Sequence, residues 1–392
     1  MSRPVVTIHR ISINFARYFD WLITGLGEMK DRGEIDVRFC LKPLNRLNSI
    51  NAPRWLLRRL APAILNEIDS TPLLEGTVTL AGKSARFCYD IEDRPFYFDL
   101  NALWSCDCYF KAQMPRKFPE PFQLSRHLRF PYPATVLECA GRIRPAMLGR
   151  PLGRSLDARK NHVVLNQWRT EGTGEPSGSL FAYFGGASAE MAKPLVMDMG
   201  RPHQHSSHTF SPKDSSAAAT YLCSAPFGHP NQKRIELVRL LRSWNDQKVD
   251  ARIISGTDSS LVGPTIPRQL DYARKLANYD WNCNITGLFG SIPFRFADAF
   301  SLGRGVLTDE LTVKWYQPFD YETEVRDLGP IGYEIASEVD WTRAEDVLHK
   351  ARSDSDSPTA KARRAHIKAR YELLWSPLPF ARYVVGSCLE VL

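Results

Sequence analysis

Two rhythms of apolar residues run along the chain. Residues 4–12, PVVTIHRIS, are apolar and β-branched enough to read as a strand. Phe15, Phe19, Leu22, Leu26 and Met29 then recur at steps of 4, 3, 4 and 3, the stripe of an amphipathic helix. Gly33 stops that helix and IDVRFCL, 35–41, is the next strand, so the chain opens as strand, helix, strand, the unit of a parallel crossover. RWLLRRLAPAILNEI (54–68) reads as a helix, TVTLAGKSARFCYDIED (77–93) as a hairpin or two short strands, and CDCYFKAQMP (106–115) as a strand end and loop. Residues 115–160 are rich in Pro, Arg and Gly and fit no period, and 170–190 carry turn formers; together they read as an irregular basic insertion over about 115–190.

The pattern starts again near residue 217. AATYLCSAPFG is a strand ending at Gly228, and HPNQKRIELVRLLRSWNDQ a helix with Ile235, Val238, Leu241 and Trp244 at three-residue steps. VDARIISG is a strand, WNCNITG a short strand and turn, and GSIPFRFADAFSLGRGVLTDE (290–310) a loop, helix and strand. Thr342 and Glu345 are spaced as a capping box for the helix RAEDVLHKARSD. SDSDSP interrupts the chain before a basic helix, TAKARRAHIKARYELLW. The expected fold is α/β, with two Rossmann-like domains facing a cleft. They span 1–200 and 201–345, and helices over 346–392 pack back on the first.

Composition narrows the class. Of the 392 residues, 43% are hydrophobic and 24% charged, as in a folded protein. No uncharged apolar run reaches the length of a membrane span, and MSRPVVTIHRIS has no signal-peptide core, so a cytoplasmic location is expected. The eight cysteines form no CxxC pair, which favours reduced thiols. The net charge of +8 favours anionic partners, and most of the local excess lies between Arg116 and Lys160. That stretch and the 54–68 helix read either as a membrane-surface contact at the inner face or as solvated arginines on a packed domain. His203, His205 and His208 invite a metal, but their Pro/Ser-rich loop holds neither acid nor Cys nearby, and a linker is the better reading.

The chemistry concentrates in 290–310. A Gly-Ser loop feeds a helix start, Pro293 suits the first turn, and Arg295 offers a planar permanent cation suited to phosphate oxygens. Asp298 shares its helical face, so the two form either an i,i+3 surface pair or the walls of an anion and diol site. This segment, with Gly290, Ser291, FRF at 294–296, Asp298, Gly303, GVLTDE and VKWYQPF at 313–319, resembles the donor-binding segment of exostosin-like and other GT-B glycosyltransferases. YLCSAPFGHPNQKRIELVRLLR is similar to the opening of a GT-B C-terminal domain, and CDCYFKAQMP to a D-x-YFK element of bacterial members; about 150 residues of the C-terminal half are covered, the N-terminal half matching mainly in element order.

The resemblance implies a metal-independent glycosyltransferase of polysaccharide or glycoconjugate synthesis. No bound cofactor is implied, only a nucleotide-diphosphate sugar as co-substrate. The acceptor, a glycan, glycolipid or glycoprotein, would bind the N-terminal domain. Arg295 would bind diphosphate and Asp298, one methylene shorter than the usual Glu, the ribose, with Ser224, Ser255, Gly290, Ser291 and Phe294 lining the donor site. His9, Asn14 and Arg17 would face the acceptor. An inverting transfer also needs a base. The acid loop of Asp90, Glu92 and Asp93 reads as a base site or a polar turn, and Asp20 as a base or a solvated helix position; Asp93 and Asp20 are the candidates. Asp107 with Lys111 reads as a cleft pair or a buried ion pair. Lys233 and Arg234 either add charge near the donor or lie on a solvated face. The rival readings are a nucleic-acid-binding basic protein, disfavoured because no RRM, HTH or KH signature is present, and a GT-B-shaped nucleotide-sugar epimerase.

Overall fold

The computed structural model describes residues 2–12, 18–39, 72–119, 123–125, 128–129, 134–148, 217–223, 232–246, 249–253, 260–263, 276–287, 290–331 and 338–392. They form two Rossmann-like α/β units. The N-terminal sheet contains β1 (Val5–Ile11), β2 (Asp36–Phe39), β3 (Leu73–Leu80), β4 (Lys83–Asp90) and β5 (Cys108–Lys111). β6 (Met114–Pro115) and the antiparallel pair β7 (Gln123–Ser125) and β8 (Leu128–Arg129) lie outside it, and β9 (Ile143–Pro145) completes it. Its order is β2-β1-β3-β4-β5-β9.

β1 and β2 pair in parallel around α1 (Asp20–Asp31), as the opening rhythm requires. Gly33 ends α1 at φ +69°, with Glu34 N donating to Met29 O and Gly33 N to Lys30 O, a left-handed C-terminal cap. The hairpin reading of 77–93 holds: β3 and β4 run antiparallel and are joined by Ala81 and Gly82, both at positive φ, the two-residue turn whose twist suits a hairpin. That hairpin inserts an antiparallel β3 between β1 and β4 in an otherwise parallel sheet. α2 (Leu100–Ser105) lies between β4 and β5, and α3 (Ala134–Glu138) precedes β9. The irregular reading of 115–160 is corrected in part, because residues 143–145 join the main sheet as β9, parallel to β5. A three-residue edge strand is too short to show a period.

The C-terminal sheet is β10 (Ala217–Cys223), β11 (Val249–Ile253), β12 (Tyr279–Cys283), β13 (Gly305–Thr308) and β15 (Val325–Asp327), with β14 (Val313–Lys314) outside it. The order β11-β10-β12-β13-β15 is all parallel. This is a doubly wound sheet that reverses direction between β10 and β12, the place where such sheets bind ligands. α4 (Gln232–Ser243) follows β10 and buries Ile235, Val238 and Leu241, while Trp244 packs at the margin of the same core. α5 (Arg295–Ser301) precedes β13.

The last helices are α6 (Trp341–Ser355), α7 (Ala360–Arg370) and α8 (Pro377–Leu389). The capping-box reading is corrected: α6 is capped by Asp340, whose side chain accepts from Arg343 N at 3.1 Å, so Thr342 lies inside the helix. α8 lies against α1 and the N-terminal sheet. Trp21 Nε1 donates to Trp375 O at 3.0 Å and Tyr383 Oη to Pro145 O at 2.8 Å, and Tyr89 meets Phe380 edge-on. Phe296, Phe300, Trp315, Phe319 and Trp375 form one aromatic cluster, with ring centres 5.0–6.4 Å apart. It belongs to the same core as Val6, Leu22 and Phe110 of the first unit, so the two units share apolar packing. Each such ring stabilises the fold by roughly 1.5–3 kcal/mol on burial.

Candidate functional site

The strand ends of the C-terminal sheet are tied to one another. After β12, Asn284 N donates to Leu307 O at 2.8 Å and Thr286 N to Asp309 Oδ1 at 2.7 Å, and the Thr286 hydroxyl also donates to Asp309. Asp309 follows β13 and is fully buried; burial pushes its pKa up, against the hydrogen bonds from Thr286 that pull it down. Arg234, in the first turn of α4, donates to Ile285 O at 3.3 Å and to Thr286 O. Lys233 donates to Pro330 O at 2.8 Å, and burial lowers its pKa while Asp309 and Glu236 raise it. Both basic residues therefore turn into the strand ends, which corrects the solvated-face reading. A switch-point crevice needs polar groups with fixed positions, and these bonds fix them.

The loop before α5 is shaped for close approach. Gly290 sits at φ +71°, and Gly287 N donates to Ser291 O at 2.8 Å. Ser291 is buried, and a Cβ at Gly287 would meet its Oγ at 2.7 Å. Gln113, two residues beyond β5, holds both polar backbone atoms of Ile292. Phe294 packs against Tyr18 of the first unit, with ring centres 6.5 Å apart. Arg295 is half-buried, and its Nε makes no hydrogen bond. The surface-pair alternative is corrected, because Asp298 does not lie at the surface. Asp298 itself is only 1% exposed, on a helix whose residues 296–301 are all buried. In this conformation its carboxylate faces inward with the small and aromatic residues around it.

Across from this loop stand the strand ends of the first unit. Asp90 closes β4 and is fully buried with Lys111, which closes β5: Lys111 Nζ donates to Asp90 Oδ2 at 3.0 Å and Tyr109 Oη to the same oxygen at 2.7 Å. Burial raises the Asp90 pKa, and Lys111 and Tyr109 act against the rise. The partner of Lys111 is thus Asp90, and the Asp107 reading is corrected. Asp107 precedes β5 at the opposite end and accepts from Arg86 N at 2.7 Å.

Glu92 is bound to Arg94 at 2.7 Å. Asp93 between them reaches solvent and makes no hydrogen bond among the described residues. Crowding by protein around it, and then the Glu92 charge, push its pKa above the usual carboxylate value. An accessible carboxylate with a raised pKa has the properties of a general base. The other first-unit candidates differ. His9 Nε2 is hydrogen-bonded to Thr77 Oγ1 at 3.1 Å within the sheet. Asp20 opens α1. Asn14, Arg17, Ser224, Ser255, the three histidines at 203, 205 and 208, and the 54–68 helix lie outside the described residues.

No family model matches the chain, and no curated protein is similar to it at a significant level. Several solved structures overlap with it, among them three at 10% identity. One is a GtfA/B complex, covering 72% of this chain and 53% of its own at a TM-score of 0.35. Another is described as a UDP-N-acetylglucosamine 2-epimerase from Listeria monocytogenes, covering 98% and 96% at 0.40. The third is Anabaena Alr3699/HepE in complex with UDP and glucose, covering 93% and 88% at 0.34. The chain spans about half the length of the first of these. At such identity and overlap these likenesses decide neither fold nor chemistry, and both rest here on sheet order and residues.

Sequence reading missed Thr286, Asp309, Gln113 and the Asp90–Lys111 pair. Asp309 was visible as the first of the two acids that end GVLTDE, but nothing in its neighbours says that it is buried. Asn282 in β12 and Asn284 just after it were also passed over; both are buried, and Nδ2 of each makes no hydrogen bond. Buried amides without partners are rare in folded proteins.

Proposed function

We propose that the chain is a glycosyltransferase that moves a sugar from a nucleotide-diphosphate donor to a hydroxyl of a glycan, glycolipid or glycoprotein. The observation that carries this reading is Arg295. It is a half-buried arginine with an unpaired Nε, on the loop–helix junction that follows β12, the strand at the switch point of a doubly wound sheet. Such a guanidinium is suited to two oxygens of a diphosphate.

In this reading the donor lies along Gly290, Ser291 and Phe294, with its diphosphate on Arg295. Asp93 takes the proton of the acceptor hydroxyl. The acceptor oxygen bonds to the anomeric carbon as the bond from that carbon to the diphosphate breaks, and the electron pair leaves with the phosphate oxygen. Charge at the departing oxygen is the quantity the site must stabilise, and Arg295 supplies it. Asp298 joins the ribose only if the loop opens. The reaction takes place in the cytoplasm, and the basic residues between Arg116 and Lys160 bring the enzyme to the inner membrane surface when the acceptor is lipid-linked.

Thermal melting with UDP, GDP, dTDP and CMP tests the donor side. Saturation at about a hundred times Kd stabilises by about 2.7 kcal/mol, a rise of several degrees. At least one nucleotide should produce it, and Arg295→Ala should abolish it. No shift with any of the four, and none lost in the variant, removes the reading.

A further inference from the structure

A cavity of about 310 Å³ opens between the two units, and none of the residues assigned to the donor lines it. Arg116 of the first unit and Lys314 of the second face into it, with Trp315, Tyr316, Phe319 and Tyr321. The antiparallel pairing of β6 with β14 sets both cations, through Lys314 opposite Met114, Val313 opposite Pro115, and Arg116 N donating to Thr312 O at 2.8 Å. The Arg116 guanidinium lies 5.7 Å from the Tyr321 ring centre. Neither cation has a carboxylate partner among the described residues.

Three features define an occupant. Arg116 and Lys314 at one cavity favour an anion, and an arginine with a lysine suits phosphate. The aromatic walls require an apolar ring face: Tyr316 is itself stacked on Tyr383 at 4.6 Å, which holds its ring rigidly. Gln317 also lines the cavity, and its side-chain amide offers donors and an acceptor to the hydroxyls of a ligand. The volume is at the small end of the range of about 300–1,000 Å³ typical of small-molecule pockets. A ring with one apolar face, hydroxyls at its rim and one phosphate meets all three requirements.

We infer that this pocket is a binding site for a phosphorylated monosaccharide, separate from the donor site. Because its two cations come from different units, the occupant bridges them. The site does not depend on the glycosyltransferase reading.

Isothermal titration of the full chain with glucose 1-phosphate, glucose, inorganic phosphate and phenyl phosphate tests it. Glucose 1-phosphate should bind at least about tenfold tighter than each of the other three, since it alone satisfies cations, ring walls and wall donors together. Arg116→Gln combined with Lys314→Gln should weaken it about tenfold or more, and Gln317→Ala by a smaller factor. Saturating UDP should leave the affinity unchanged. Equal binding of phosphate alone, equal binding of phenyl phosphate, an unchanged affinity in the double variant, or displacement by UDP each overturns the proposal. UDP titrations of the same proteins separate the two readings. A wild type that ignores UDP but binds glucose 1-phosphate loses the donor reading and keeps this one. An unchanged melting temperature confirms that the double variant is folded; should it melt early, Gln317→Ala and the UDP displacement decide.

Discussion

Gln113 and Ile292 clasp each other across the two units: Gln113 Nε2 donates to Ile292 O and Ile292 N donates to Gln113 Oε1, both at 3.0 Å and both buried. One side-chain amide thus satisfies an entire peptide unit of the loop that leads to Arg295. Gln113→Leu keeps the bulk and removes both bonds. Two buried backbone groups are then unpaired, so the variant should lose about 2–4 kcal/mol in urea unfolding. It should also weaken nucleotide binding, because the loop is no longer held.

The Asp90–Lys111 pair should behave as a buried ion pair, costly to halve. Asp90→Asn leaves an ammonium without its counter-charge and should cost about 3–5 kcal/mol, and Asp90→Asn with Lys111→Met much less. Lys111→Met alone adds a pH signature. Removing the cation takes away an influence that lowers the Asp90 pKa, so burial raises it further above its unfolded value. A carboxyl whose folded pKa is raised binds its proton more readily in the folded state. The stability of this variant therefore increases as pH falls through that folded pKa, and equilibrium unfolding between about pH 8 and about pH 5 measures it.

Arg295→Ala should reduce nucleotide-diphosphate affinity by about 10–100-fold, the loss of charged hydrogen bonds worth roughly 1.5–3 kcal/mol. The melting temperature without ligand should barely change, since Arg295 Nε has no partner to lose. Arg295→Lys should recover only part of the affinity, a point charge in place of a fork. Calorimetry with the nucleotide that stabilises the wild type provides the comparison.

Glu92→Gln should move the acid limb of the pH–rate profile to lower pH. Glu92 raises the Asp93 pKa, so removing its charge lowers it, and the base is ionised at more acidic pH. Asp93→Asn should abolish the limb together with most of kcat. A profile that is the same in Glu92→Gln and wild type would exclude Asp93 as the titrating base.

Gly25→Ala should loosen the last helix. A Cβ there would come to 2.0 Å from Pro377 O, and backbone does not yield as a flexible side chain does. The clash should cost about 1–3 kcal/mol or more. It should be visible as faster amide exchange in α8 before global unfolding.

Local pattern carried a good part of this fold. β1, α1 and β2, and then β10, α4 and β11, lie where the two periodicities place them, because a strand or an amphipathic helix is defined by neighbours within a few residues. The hairpin over 77–93 was legible as one of two readings for the same reason. β9 was not, since a three-residue edge strand has no rhythm, and the cap of α6 fell two residues early because Asp340 competed with Thr342 for the same role. Among the candidate groups, Arg295 and Asp93 are accessible side chains whose chemistry can be named from residue type and loop position. Asp298 looked equivalent to Arg295 in spacing and is buried instead.

What the chain determined by itself is the identity and order of its elements and the kinds of group they carry. Tertiary structure alone decided which groups meet. Lys111 turned from Asp107 to Asp90 because parallel pairing puts the ends of β4 and β5 side by side. Arg234 and Lys233 turned inward because α4 packs over the strand ends that supply their carbonyl partners. Gln113 found Ile292, and Lys314 came beside Arg116, across about 180–200 residues of sequence. Such encounters depend on burial and register summed over both units, which no window of local sequence contains.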